Sequence, residues 1–135
     1  MKELSVANSF FFLGLSFVLW HQYRSPEEYD YVPLSEKIDI YSLGNILYDL
    51  LTSKDLFYNF GESRTTKAVI KAVQAGKRSP FPDSFKNSTD PFEQTLIKAI
   101  KLCWIHDPKD RISARELQTL FMTELERQGV NKTEW

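Results

Sequence analysis

An all-α domain with long ordered loops is the fold class that the sequence predicts, on three observations. Apolar residues recur at spacings of three and four through 36–52, the period of a helix with one face turned to a core. Two stretches, Asp90-Pro91 followed by Glu93 and Ser113 followed by Glu116, carry the residue pattern that closes the open N–H groups of a helix start. Outside an ambiguous start, no strand-like alternation stands out.

The elements follow in order. Residues 23–35 read as a turn-rich loop feeding the first helix. In 36–52, Ile40, Leu43, Leu47, Leu50 and Leu51 form the stripe and Ile46 and Tyr48 widen it, so this helix is expected to be largely buried. A second helix spans 65–75, "TTKAVIKAVQA", with Gly76 placed to stop it in the left-handed conformation. The prolines and polar residues of "SPFPDSFKNST" predict a loop. Asp90 as N-cap, Pro91 at the first helical position and Glu93 at the third open a helix over 92–104, which Asp107-Pro108 ends. The last helix starts with the Ser113 and Glu116 capping box, Ile112 stapled onto Leu117, and closes at Gly129.

At 135 residues and 15.8 kDa, with 42% hydrophobic and 26% charged residues, the chain has the size and composition of one soluble domain. A formal charge of -1 provides no global basic field, and no nucleic-acid partner is expected. Cys103 is the single cysteine, which rules out an internal disulfide and a cysteine zinc cluster; it reads as a buried structural thiol in a reducing, cytoplasmic setting. Trp104 and Tyr41 read as core residues, and His21 and His106 as incidental. The sequons at Asn87 and Asn131 would matter only to a chain that enters the secretory route.

Three blocks, in this order, resemble the large lobe of eukaryotic protein kinases. "YRSPEE" resembles the Ala-Pro-Glu signature that closes the activation segment, with Ser25, Pro26 and Glu27 in its place; "DIYSLG", from Asp39 to Gly44, resembles the start of the long central helix; and "CWIHDPKDRISARELQ" resembles the closing pattern with an arginine, here Arg111, between the last two helices. The resemblance covers 23–128, with 129–135 as a tail. It implies the helical C-terminal lobe of the kinase fold, incomplete, with no N-terminal β lobe. It further implies a Glu27 to Arg111 ion pair tying the substrate-side loop to the base of the lobe, a geometry that the planar guanidinium suits. Taken singly, each of the two reads as a solvated surface charge. Asp39 matches the aspartate that accepts backbone hydrogen bonds from the family's catalytic loop. Serine at Ser25 and tyrosine at Tyr41 depart modestly from the family pattern, and the wording leans toward its tyrosine-kinase-like groups.

Phosphoryl transfer needs a cover for the phosphates, a lysine on them, magnesium ligands and a base at the acceptor hydroxyl. The sequence carries no glycine-rich loop, no His-Arg-Asp loop and no Asp-Phe-Gly motif. No catalytic, cofactor-binding or metal residue is therefore assigned in this chain, and it is expected to be inactive alone. ATP and magnesium are implied only for a full-length family member. The implied function is that of a fragment whose parent phosphorylates protein Ser, Thr or Tyr hydroxyls, with a protein substrate or partner. The rival is a non-catalytic interaction module using the groove around Arg24 to Tyr31 and the helix from Thr65.

Within the apolar leader, 1–22, the apolar stretch from Leu4 to Trp20 is too short and too diluted by Ser5, Asn8, Ser9 and Ser16 for a comfortable membrane span, and the leader lacks a cleavage site. A membrane partner is expected only if 1–20 acts as a signal anchor. Its "SFFFL" run and terminal Gln22 also read as a translated polypyrimidine tract and intron end, which would make Tyr23 the first residue of a true exon.

Overall fold

The computed structural model describes residues 22–130. The readings of 1–21 as leader, of His21 as incidental and of 131–135 as tail lie outside the described residues. In chain order the helices are α1 (Pro26–Tyr29), α2 (Lys37–Thr52), a 3-10 segment (Tyr58–Ser63), α3 (Thr66–Gln74), α4 (Asp83–Lys86), α5 (Pro91–Cys103) and α6 (Ala114–Arg127). No strand occurs among the described residues, and none of their helices is long and apolar enough to cross a membrane.

The capping signals act as read. Asp90 accepts from the Glu93 N–H at 2.9 Å, and Ser113 accepts from the Glu116 N–H at 3.2 Å while the Glu116 carboxylate accepts from the Ser113 N–H at 2.8 Å. Reciprocal bonds of this kind satisfy donors that a helix start otherwise leaves open. Gly76 and Gly129 both take φ of 79° just past helix ends, a region where a Cβ costs energy. Within "SPFPDSFKNST" the expected loop contains a single helical turn, α4. Pro82, at φ of -55°, precedes it and accepts from the Phe85 N–H at 3.0 Å; one turn is too short to leave a periodic pattern.

Helix α2 is the centre of the fold and makes its most extensive contact with α5. On one side Tyr41 and Tyr48 pack with Val69 and Val73 of α3 and with Ile100 and Trp104. The Tyr48 and Trp104 rings lie 5.3 Å apart, and Phe81 meets Tyr48 edge-on at 5.5 Å, within the range favoured by aromatic pairs. On the other side Ile40 packs with Ala99, Cys103 and Leu117, and Ile112 lies against the same cluster. Burial pushes the Cys103 thiol up to about 11, so it stays protonated and unreactive.

The expectation that α2 is largely buried fails on one face. Ile46 is 47% exposed and Leu50 75%. Periodicity reports which residues are apolar, whereas burial also needs an element to cover them, and no described element covers this face.

Tyr23 ties the entering chain to α2. Its carbonyl accepts from Ser42 Oγ at 2.8 Å and Asn45 Nδ2 at 3.1 Å, and Asn45 Oδ1 in turn accepts from the Trp104 indole N–H at 2.7 Å. The Tyr23 hydroxyl donates to Asp49 Oδ2, while Asp49 Oδ1 is buried with no hydrogen-bond partner. Burial, helped by nearby Asp55 and opposed by Arg64, pushes the Asp49 carboxyl from 3.8 up to about 6. The folded state therefore keeps a proton that the unfolded chain gives up across that interval, and stability falls as pH rises from 3.8 to about 6. Asp49→Asn is expected to lose this fall. Urea midpoints taken at several pH values check it; an unchanged slope would show that Asp49 is not its source.

Candidate functional site

The side chains with the densest polar environment sit where α1, the start of α2 and the loop before α6 converge. Arg111 is 1% exposed, and all five of its guanidinium N–H groups have acceptors. Nη1 donates to Glu27 Oε1 at 2.7 Å and to the Lys37 carbonyl at 2.6 Å; Nη2 donates to Glu27 Oε2 at 3.0 Å and to the His106 carbonyl at 3.1 Å; Nε donates to the Ile105 carbonyl at 2.9 Å. The contact with Glu27 is thus a bidentate ion pair, the geometry that Arg and not Lys can supply. The Lys37 ammonium donates back to the Arg111 carbonyl. One residue thereby joins three chain segments.

Local sequence places both partners. Ser25 caps α1, with Pro26 at its first position; the Glu28 carboxylate reaches back to the Ser25 N–H at 2.7 Å and hydroxyl at 2.9 Å. This one-turn helix points Glu27 inward, where it is buried. The Ser25…Glu28 spacing is the same capping signal as at Ser113, but within "YRSPEE" only four helical residues follow it, too few to leave a helical period in the sequence. On the other side, the Asp107 carbonyl accepts from the Asp110 and Arg111 N–H groups, both at 3.1 Å, a tight turn that swings Arg111 under α2.

Burial alone would push the Glu27 carboxyl up. The bonds and charge of Arg111, with help from backbone and Ser25 donors, outweigh it and hold the group below its ordinary 4.5. Tyr41 lies beside the pair, its ring centroid 5.1 Å from the Arg111 guanidinium carbon and 5.0 Å from that of Arg78. Burial, opposed by the two arginines, pushes the Tyr41 phenol up to about 12, so it acts as a neutral aromatic surface for the cations. With every guanidinium proton bonded and both Glu27 oxygens held by Arg111, this arrangement fixes backbone geometry and offers no free acid, base or nucleophile.

The other family-motif residues are placed apart from it. Gly44 lies at the α2 to α5 crossing, where a Cβ would stand 2.7 Å from Cys103 Cβ and 3.1 Å from Trp104 Cδ1; its role is close helix approach. Asp39 is exposed in the first turn of α2. Between α1 and α2 the loop presents Tyr31, Val32 and Leu34, 95%, 46% and 56% exposed, and α1 rests on α3, with Gln74 Nε2 donating to Asp30 Oδ1 at 2.7 Å. The described residues hold no group of three or more His, Cys, Asp or Glu suited to a metal ion.

These features coincide with a known family. Residues 12–121 match the protein kinase domain family. The chain is 37% identical over 95 residues to a dual specificity protein kinase, shkE, of Dictyostelium discoideum, covering 70% of this chain and 12% of the relative. It is 31% identical over 94 residues to a putative serine/threonine-protein kinase B of Trypanosoma brucei brucei, covering 70% and 19%, and 26% identical over 102 residues to guanylyl cyclase C of Homo sapiens, covering 75% and 9%. The chain thus spans less than a fifth of the length of each of these relatives. With residues 12–121, most of its length, matched by that family, the chain belongs to the protein kinase domain family.

Proposed function

We propose that the chain supplies the C-terminal part of the large lobe to a protein kinase that transfers the γ-phosphate of ATP to a protein Ser, Thr or Tyr hydroxyl. The Glu27 to Arg111 pair carries this reading. It spends a buried, fully bonded ion pair on holding one loop, and that loop presents the exposed Tyr31, Val32 and Leu34 beside α3. A rigid support under an exposed loop suits a surface that receives a protein substrate. The described residues do not fit ATP or magnesium: they lack a metal-ligand cluster and a glycine-rich phosphate loop. Nucleotide and metal belong to chain outside this sequence in the full-length protein. A cytoplasmic location accords with this role.

Transcript sequencing through the Gln22 and Tyr23 codons tests the proposal, followed by phosphate transfer from labelled ATP to a mixed protein substrate by the longest product. The expected result is an upstream exon encoding the lysine, catalytic-loop and magnesium motifs, with transfer abolished when that lysine is replaced. Transcripts that all begin at Met1, giving a product without nucleotide binding, would overturn it.

A further inference from the structure

Helix α5 has a second face that the core does not use. While Ala99, Ile100 and Cys103 point into the core, Gln94, Ile97, Lys98, Lys101 and Leu102 recur at helical spacing along one wall of an open groove of about 560 Å³. The facing wall is the α4 segment, where Phe81, Phe85, Lys86 and Ser88 line the same space. The floor is rigid, since Phe81 stacks near both Tyr48 and Trp104. The rim is cationic: among the described residues, three lysines line the groove and no carboxylate does. Lys86 is already paired with Asp83 at 2.7 Å, and Glu93, near one end, is engaged by the Ser88 hydroxyl at 2.5 Å. Lys98 and Lys101 are exposed, one turn apart, and neither has an ion-pair partner among the described residues; the Lys101 ammonium lies 5.9 Å from the Phe81 ring centroid.

We propose that this groove docks an acidic peptide segment of a partner protein, an apolar side chain seated against Phe81, Phe85 and Ile97 and flanking carboxylates held by Lys98 and Lys101. Charge complementarity selects the occupant: an apolar trough with two unpaired cations on one wall favours an amphipathic anion. Openness along a whole helical wall favours an extended chain over an enclosed small molecule. The groove shares no lining residue with the Glu27 to Arg111 pair and requires nothing of phosphoryl transfer, so it stands or falls separately from the kinase reading.

The test uses the full chain and a fluorescein-labelled peptide of glutamate, leucine and phenylalanine residues, with fluorescence anisotropy as readout. Three comparisons accompany it: the same peptide with glutamine for glutamate, the same peptide with serine for leucine and phenylalanine, and phosphatidylserine vesicles. Saturable binding is expected, weakened by both peptide changes and weakened roughly tenfold in the Lys98→Glu/Lys101→Glu variant, as two exposed ion pairs together can contribute. Both lysines are exposed, so the variant should keep the parent's circular dichroism and melting curve. Equal binding of the glutamine peptide, equal binding by the charge-reversed variant, or binding to vesicles without binding to the peptide would each overturn the proposal.

Discussion

Arg111→Met is expected to lower the unfolding free energy by about 3–5 kcal/mol, because it strands the Glu27 carboxylate in the interior without its counter-charge. The Lys37, Ile105 and His106 carbonyls lose their guanidinium donors at the same time. Arg111→Lys should recover only part of the loss, since an ammonium has three donors and cannot span both Glu27 oxygens. Urea unfolding followed by circular dichroism measures both variants. Should Arg111→Met cost less than Glu27→Gln, the pair would not be the dominant interaction at this junction, and its three carbonyl contacts would need another account. The pair also sets an acid limit. Glu27 titrates below its ordinary 4.5 when folded, so its contribution is fully present above that value and is lost as pH falls through the depressed one. Glu27→Gln removes this titration, and its stability should change less with pH in that acid range than the parent's does.

Gly44→Ala should destabilise the domain by about 1–3 kcal/mol, the usual cost of forcing an extra carbon into a packed core. Helix propensity pulls the other way, since alanine gains about 1 kcal/mol over glycine inside a helix. Overpacking wins here because the nearest obstacle, 2.7 Å away, is Cys103 Cβ, fixed to the α5 backbone and unable to swing aside. Gly44→Val should cost more than Gly44→Ala. Thermal melts give the order; a melting temperature raised by alanine would mean that α2 and α5 move apart at little cost.

The sequence by itself determined the helices that advertise their own ends. Asp90, Pro91 and Glu93, the Ser113 and Glu116 box, and the glycines at 76 and 129 act through bonds within a few residues, so their chemistry can be read without knowing the rest of the fold. The segments shorter than two turns, α1 and α4, left no period to detect. Family wording named Glu27 and Arg111 as partners, although each reads alone as a surface charge. Only the tertiary structure decided the strength of that contact: five donors meet five acceptors because the Asp107 turn, the start of α2 and the one-turn α1 converge, and convergence across 84 residues of separation has no local signature. Exposure along Ile46 and Leu50 was likewise settled only in three dimensions. Apolarity belongs to a residue, whereas burial belongs to its neighbours.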